Sequence, residues 1–379
     1  MKLATKFIHA GVEPDPSTGS IMTPIYQTST YVQEAPGKNK GYEYARSQNP
    51  TRFALEKAFA EIENGKYGLA FSSGVAATDA VIKLLQPGDE VIAASDMYGG
   101  TYRLFTKIFE KFGIVFHYVN MHDANNILAL VNAKTRLIWT ETPTNPLMNI
   151  VDIAAVAAIS KAHNILLCVD NTFATPYLQQ PFKYDVDFAF HSTTKFLNGH
   201  GTAIGGVLLG RDIEFMNTKA TKWHRLLGGN SNPFDAFLLT TGMKTLEIRM
   251  ERHCSNAVAV VDFLQKHPAI GHVNYNGLES HPDYATAKKQ MRHPGAMTSF
   301  ELKGGLDAGK KFIDALQMCV RAVSLGTVDT LVSHPASMTH YGVSREERIQ
   351  FGITDGLIRM SVGMENIEDI LADLEQALN

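Results

Sequence analysis

The reading of this chain turns on the stretch His191-Ser192-Thr193-Thr194-Lys195-Phe196-Leu197-Asn198-Gly199-His200-Gly201. A lysine follows a run of hydroxyls and precedes two glycines. Hydroxyls donate to a phosphate, and glycines let backbone and ligand approach closely. A lysine amine, once freed of its proton, forms an imine with an aldehyde. In most proteins a lysine among serines is a solvated surface charge, so the reading rests on what the rest of the chain puts around Lys195.

Working outward, apolar runs predict strands at 67–71, 90–94, 115–119, 137–141, 165–170, 187–191 and 205–209. Helical patterns at 54–62, 75–85, 101–112 and 153–163 intervene. Strands alternating with helices imply parallel pairing in a doubly wound sheet. Ligands of such sheets bind beyond the carboxyl ends of the strands. Small or polar residues gather at five of those ends: Ser72-Ser73-Gly74, Asp96 to Gly100, Glu141 to Pro146, Asp170-Asn171-Thr172 and Ser192 to Lys195.

The chain has 379 residues, enough for two domains. The first 55 are rich in Pro, Thr, Tyr and Gly and bury little by themselves. They form either a loose arm or a segment lying on something larger. Within them Tyr42 to Arg52 packs tyrosines and arginines around a turn, either a solvated turn or an anion-binding arm. Residues 56–250 are expected to form the large domain and 251–379 a smaller α/β domain. The boundary falls in a helix, whole or in pieces, over 235–265. Residues 211–235 read as irregular. In the second unit, 308–316 and 367–378 predict helices, 357–362 a strand, and 320–325 a strand or loop.

A net charge of −3 without a basic run excludes a nucleic-acid surface. No apolar run approaches the roughly 18 residues that span a bilayer, and Met1 to Phe7 does not read as a signal peptide. The expectation is a cytoplasmic protein. Cys168, Cys254 and Cys319 are widely spaced and read as buried free thiols. His191 and His200 have no third ligand nearby, so no metal is expected.

These features suit pyridoxal phosphate (PLP). An enzyme using it must hold a dianion, keep a pyridine nitrogen protonated, cover the ring and present an amine. Ser73-Gly74-Val75, between a strand and a helix, is either a plain turn or an anion site at a helix N-terminus. Ser192 and Thr194 add hydroxyls. Asp170 ends an apolar strand, as a helix cap or as the partner of a buried cation. Tyr98, beside two glycines, is an aromatic able to cover a ring. Burial would lower the pKa of Lys195 and free its lone pair.

Taken together, the sequence resembles the Cys/Met-metabolism PLP-dependent enzymes, the family of cystathionine γ-synthase, cystathionine γ-lyase and methionine γ-lyase. The matching pieces run in family order over nearly the whole chain. They are Tyr44-Ala45-Arg46 with Asn49-Pro50-Thr51, Ser72-Ser73-Gly74, Tyr98-Gly99-Gly100-Thr101, Glu141 to Pro146, Val169 to Thr172, Ser192 to Lys195 with Gly199-His200, and Ile358 to Gly363. The resemblance implies an aspartate-aminotransferase-like α/β fold (fold type I), with a large, mostly parallel sheet domain and a smaller C-terminal α/β domain. It implies Lys195 as Schiff-base lysine and proton carrier, and Asp170, followed by Thr172, against the pyridinium. Tyr98 would lie on the ring, and Ser73, Gly74, Val75, Ser192 and Thr194 would hold the phosphate. Tyr44 and Arg46 would reach the phosphate of a neighbouring subunit within a homotetramer, a dimer of active dimers. Arg359, with Ser324 and Asn145, would bind the substrate carboxylate.

The implied activity is γ-elimination or γ-replacement on sulfur amino acids or homoserine esters. Within the family the pocket is mixed. Glu43 and Arg103 match positions that cystathionine-handling members use for the distal polar end. Val323 stands where those members carry glutamate. Gly100, Val323 to Gly326 and His334 to His340 bear on the methionine γ-lyase alternative: the last two resemble it, whereas Gly100 stands where it carries cysteine. Gly199 to Thr202 resembles the O-acetylhomoserine sulfhydrylases. A non-enzymatic protein of this fold would have no use for five polar strand ends.

Overall fold

The computed structural model describes residues 1–339, 341, 344–350 and 352–379; His340, the last residue of the stretch beginning at His334, lies outside the described residues. Seven strands form the first sheet: β1 (Tyr67–Phe71), β2 (Glu90–Ala94), β3 (Val115–Val119), β4 (Thr135–Glu141), β5 (Leu166–Asp170), β6 (Phe188–His191) and β7 (Gly206–Gly210). Their order is β1-β7-β6-β5-β4-β2-β3. The pairs among β2 to β6 are parallel. The helices Gly99–Lys107 and Ile153–His163 supply crossovers between parallel neighbours. β7 alone runs antiparallel, to both β1 and β6. Its reversal has a local cause: no helix separates it from β6, only the loop that carries Lys195.

Both faces of this sheet are covered, as a largely parallel sheet requires. Alternate residues go to opposite layers. On one face Phe71, Val91, Leu137, Trp139, Cys168 and Phe190 share a core. On the other, Ile92, Ile138, Leu167 and Val169 pack together, and Ala70, Ala189 and Val207 join a third cluster.

The second sheet comprises β8 (Ile270–Asn274), β9 (Met297–Leu302), β10 (Val320–Arg321), β11 (Leu331–Ser333) and β12 (Leu357–Ser361), in order β10-β11-β12-β9-β8. It is antiparallel except for β10 with β11. The helix Leu246–Leu264 serves both halves. Leu246, Met250 and Cys254 pack in the first domain, whereas Ala257, Val260, Val261 and Leu264 pack under the second sheet.

The helix expected over 235–265, whole or in pieces, comes in two pieces, Pro233–Met243 and Leu246–Leu264. One sequence expectation is corrected. Residues 211–235 are not irregular: Ile213–Phe215, a π-helical turn Met216–Ala220 and Thr221–Leu227 make a nearly continuous helical stretch. Its buried positions are Met216, Ala220, Thr221 and His224, of which only Met216 is large and apolar, so they do not read as an apolar stripe. The N-terminal 55 residues, left open as a loose arm or a segment lying on something larger, divide in two. The helix Leu3–His9 buries Phe7 in the first domain's core, while most of the segment from Pro16 to Ser47 is exposed or half-buried.

Arg249 fastens the Lys195 loop to this frame. Its guanidinium is buried, with Nη1 donating to Phe196 O (2.7 Å), Nη2 to Gly242 O (2.7 Å) and Nε to Thr245 Oγ1 (3.0 Å). It thus joins the residue after Lys195 to the break between the two helices. Position 199 must be glycine, because a Cβ there would lie 2.0 Å from Arg249 Nη1 at a φ of +74°. Arg249→Met strands the Phe196 and Gly242 carbonyls, each at about 1–3 kcal/mol, while relieving a buried charge. A net loss of about 2 kcal/mol is expected, read as a lower urea midpoint with unchanged slope.

Candidate active site

A cavity of about 500 Å³ opens at the carboxyl ends of β1, β4, β5 and β6 and is closed by the second domain. Ser73 caps the helix Gly74–Ile82, its Oγ accepting from Ala76 N at 3.1 Å. The first N–H groups of that helix, those of Gly74 and Val75, have no acceptor within it. Ser192 Oγ lies 3.3 Å from where a Cβ would sit on Gly74, so hydroxyl and helix N-terminus face one small space. Thr194 stands beside them, its Oγ1 donating to Gly205 O (3.2 Å) and accepting from Gly205 N (3.1 Å). This corner is a cup for an anion.

Asp170 lines the same cavity. Its Oδ1 accepts from Thr172 N (3.0 Å) and Thr172 Oγ1 (2.5 Å), and Thr172 Oγ1 in turn accepts from Ser192 N (2.9 Å). Burial pushes Asp170 up to about 6, against the two Thr172 bonds that lower it. Glu141 is raised well above the usual carboxylate range, first by burial and then by the charge of Asp170. Two buried carboxylates in one wall are a site that calls for a cation. On the far side of these strands, Glu63 holds both neighbours of the wall: His191 Nε2 lies 2.8 Å from its Oε2, and Asn171 Nδ2 donates to its Oε1 at 3.0 Å.

Lys195 Nζ donates to Ser324 Oγ at 2.6 Å. Burial pushes the Lys195 ammonium down to about 8, and the nearby Arg359 cation adds to the effect. Arg359 Nη1 donates to Asn145 Oδ1 (3.0 Å) and Nη2 to Ser324 O (2.8 Å). Ser324 therefore touches both cations. It does so at φ +81°, a left-handed conformation unusual for serine and one that must be held by its surroundings. Tyr98 is half exposed over the cavity mouth, fixed by its own N–H donating to Glu141 Oε2 at 2.7 Å. A Cβ at position 100 would lie 2.3 Å from the Tyr98 ring, so glycine there lets the ring fold back.

Ser73, Gly74, Val75, Tyr98, Arg103, Asn145, Asp170, Thr172, Ser192, Thr194, Lys195, Val323, Ser324 and Arg359 all line the one cavity. Glu43, Tyr44 and Arg46 do not. They sit on the exposed arm, where Arg46 Nη1 donates to Arg225 O and its guanidinium lies 5.6 Å from the Tyr44 ring centroid. Glu141, Phe173, Ile204 and Thr339 line the cavity as well, without a role assigned from sequence. Glu141 matters most, and its partner, a backbone N–H, leaves no trace in sequence.

An amine of lowered pKa, an anion cup and a buried carboxylate wall around one cavity of a doubly wound sheet define a PLP-dependent enzyme of fold type I. Gly74, Val75, Ser192 and Thr194 fit the phosphate, Asp170 fits the protonated ring nitrogen and Lys195 the aldehyde. The chain belongs to the Cys/Met metabolism PLP-dependent enzyme family, which it matches over residues 4–379. It is 49% identical over 375 residues to a cystathionine β-lyase of Coxiella burnetii, covering 99% of this chain and 97% of that one. It is 44% identical to a cystathionine γ-synthase of Mycobacterium tuberculosis over 99% and 96% of the two chains. The crystal structure of cystathionine γ-lyase from Lactobacillus plantarum complexed with L-serine superposes with a TM-score of 0.97 at 42% identity, covering 100% of this chain and 98% of that one.

Two outcomes follow from the geometry. Only the neutral amine attacks an aldehyde, so the rate at which apoprotein takes up PLP should rise with pH and level off above about 8; stopped-flow absorbance reads it. Gly100→Ala should displace the Tyr98 ring and raise the PLP dissociation constant by about tenfold, a loss of roughly 1.4 kcal/mol of stacking, with the apoprotein's melting temperature unchanged.

Proposed function

We propose that this enzyme carries out γ-elimination and γ-replacement of the cystathionine γ-synthase/γ-lyase type, with cystathionine as the compound cleaved or formed. The observation that carries this reading is the shared anchor Ser324: its Oγ takes the amine of Lys195 and its carbonyl takes the guanidinium of Arg359. The group that moves protons and the group that binds a carboxylate are thereby held at a fixed spacing, as an α-amino acid substrate requires.

PLP, when bound, supplies the aldehyde and the electron sink. Arg359 binds the substrate carboxylate through its planar fork, assisted by Asn145. Burial lowers its pKa to about 10, which leaves it charged at neutral pH. Lys195 Nζ would take the proton from the substrate α-carbon and then serve proton transfer at the β-carbon. The γ-substituent then departs. A thiol added there gives replacement, and hydrolysis gives 2-oxobutanoate and ammonia. Asp170 keeps the ring nitrogen protonated, with Thr172 holding the carboxylate in place. Tyr98 covers the ring. Arg103, joined by Glu43 from a neighbouring subunit's arm, serves the distal polar end of the substrate.

Tyr44 and Arg46 of one subunit serve the phosphate of the next, within a homotetramer made of two active dimers. The exposure of that arm supports this. Three buried free cysteines support a cytoplasmic location, and among the described residues no helix is long and apolar enough to cross a membrane.

One observation favours a second reading. Val323 is 58% exposed and lines the cavity, an apolar surface that suits the methyl thioether of methionine. O-acetylhomoserine sulfhydrylase activity ranks below both. Product analysis separates these readings and tests the direction of cleavage as well. Cystathionine should yield 2-oxobutanoate and cysteine; pyruvate and homocysteine would instead make the enzyme a β-lyase. Methionine and O-acylhomoserine with cysteine or sulfide complete the comparison of kcat/KM. Val323→Glu should shift the kcat/KM ratio toward cystathionine over methionine by about tenfold, the size of one partly solvated ion pair of about 1.4 kcal/mol. An unchanged ratio would show that Val323 does not select the substrate.

A further inference from the structure

We propose that Arg52 is a positioning residue that holds the arm so that Arg46 is delivered to the cofactor site of a second copy of this chain. The proposal rests on the reading above that Arg46 serves a neighbouring phosphate. Arg46 occupies the third position of the turn Tyr44-Ala45-Arg46-Ser47, closed by Ser47 N donating to Tyr44 O at 2.9 Å. The turn projects from an exposed segment, and such a segment is ordinarily mobile. Arg52 reaches it from the first turn of the helix Pro50–Glu63, which Asn49 caps by accepting from Thr51 N and Arg52 N. Its Nη1 donates to Ala45 O and its Nη2 to Ser47 O, both at 2.9 Å. These are the carbonyls of the residues on either side of Arg46. The two arms of one planar guanidinium thus grip the peptide unit that enters Arg46 and the one that leaves Ser47, and so hold the turn on both sides of Arg46.

The arrangement is costly, which argues for a use. Arg52 is 1% exposed, and a buried cation loses its hydration. Glu56 offsets that loss, its Oε1 lying 3.3 Å from Arg52 Nε. The same oxygen accepts from Ala70 N at 3.0 Å, in the strand β1 that leads to Ser72-Ser73. The Asn230 amide, with its oxygen assigned toward Arg52, accepts from Nη1 at 2.6 Å. The clamp is therefore built on the strand that leads to the chain's own anion cup, and it holds the segment directed at another chain's cup. A lysine at position 52 keeps the charge but cannot span two carbonyls.

The test compares Arg52→Lys with Arg46→Ala in the full-length protein. PLP is titrated into each apoprotein, with light scattering for assembly and thermal melting for fold. Both variants are expected to raise the PLP dissociation constant about tenfold, the loss of roughly one charge-assisted hydrogen bond, with assembly and melting temperature retained. Mixed oligomers then separate action across the interface from action within a subunit. Arg52→Lys subunits are co-expressed with Lys195→Ala subunits under two different tags, and the mixed species is purified. If Arg52 acts across the interface, the Arg52→Lys subunit receives an intact arm from its neighbour. Half of the sites then regain tight PLP, fixed on Lys195 by borohydride. Absence of that rescue overturns the proposal, because Arg52 would then act only within its own subunit. Normal affinity in Arg52→Lys beside weakened affinity in Arg46→Ala overturns the proposal alone. Normal affinity in Arg46→Ala, or a monomer in solution, overturns the underlying reading of the arm as well.

Discussion

The hydrogen bond from Lys195 Nζ to Ser324 Oγ joins the two sheets of the molecule at the point where chemistry happens. Lys195 stands on the loop between β6 and β7, and Ser324 follows β10 in the other domain. Neither domain holds the amine alone. The lowered pKa of Lys195 has the same origin, since burial is its largest cause and burial exists only while the second domain covers the cavity. The left-handed backbone of Ser324 belongs to this arrangement. It turns the hydroxyl to the amine while the carbonyl of the same residue reaches Arg359. The fold's first task is to keep these two sheets at that distance, and the helix Leu246–Leu264, packed in both cores, performs it.

The parts of the fold that could be read from sequence are those in which burial writes a periodic signal. β1, β2, β3 and the last helix, Ile367–Leu378, stand where the apolar runs predict them. β8 is not legible, because only Ile270 and Val273 among its five residues are buried and Gly271 and His272 interrupt them. β11 has three residues, too few to carry a period. The helical stretch from Ile213 to Leu227 hides for the opposite reason, since apart from Met216 it buries small and polar groups rather than an apolar stripe. The reversal of β7 could be inferred only from the missing crossover helix.

The site divides in the same way. Lys195, Asp170 and Ser192 are marked in the sequence by side-chain chemistry and Arg359 by the family resemblance, and all four line the cavity. Glu141, Arg52 and Arg249 carry no such mark, because most of their partners are backbone groups. Glu141 accepts from the Tyr98 amide, Arg52 donates to Ala45 and Ser47 carbonyls, and Arg249 donates to those of Phe196 and Gly242. Every residue type has these groups, so no pattern of residue types marks such a contact. The residues that hold the reactive groups still were therefore found only once the chain was seen folded.

The split of the cavity between the two sheets has a consequence for how such a chain can change over generations. Ser73, Gly74, Asp170, Ser192, Thr194 and Lys195 come from the first domain, whereas Val323, Ser324, Thr339 and Arg359 come from the second. The groups suited to the cofactor lie on one packed core, while part of the remaining lining, Val323, Ser324 and Arg359, lies on another. Substitutions such as one at Val323, exposed on its own side of the cleft, perturb no packing around Asp170 or the anion cup. A lineage can thus try new substrates by altering one lip of the cleft while the other retains the machinery.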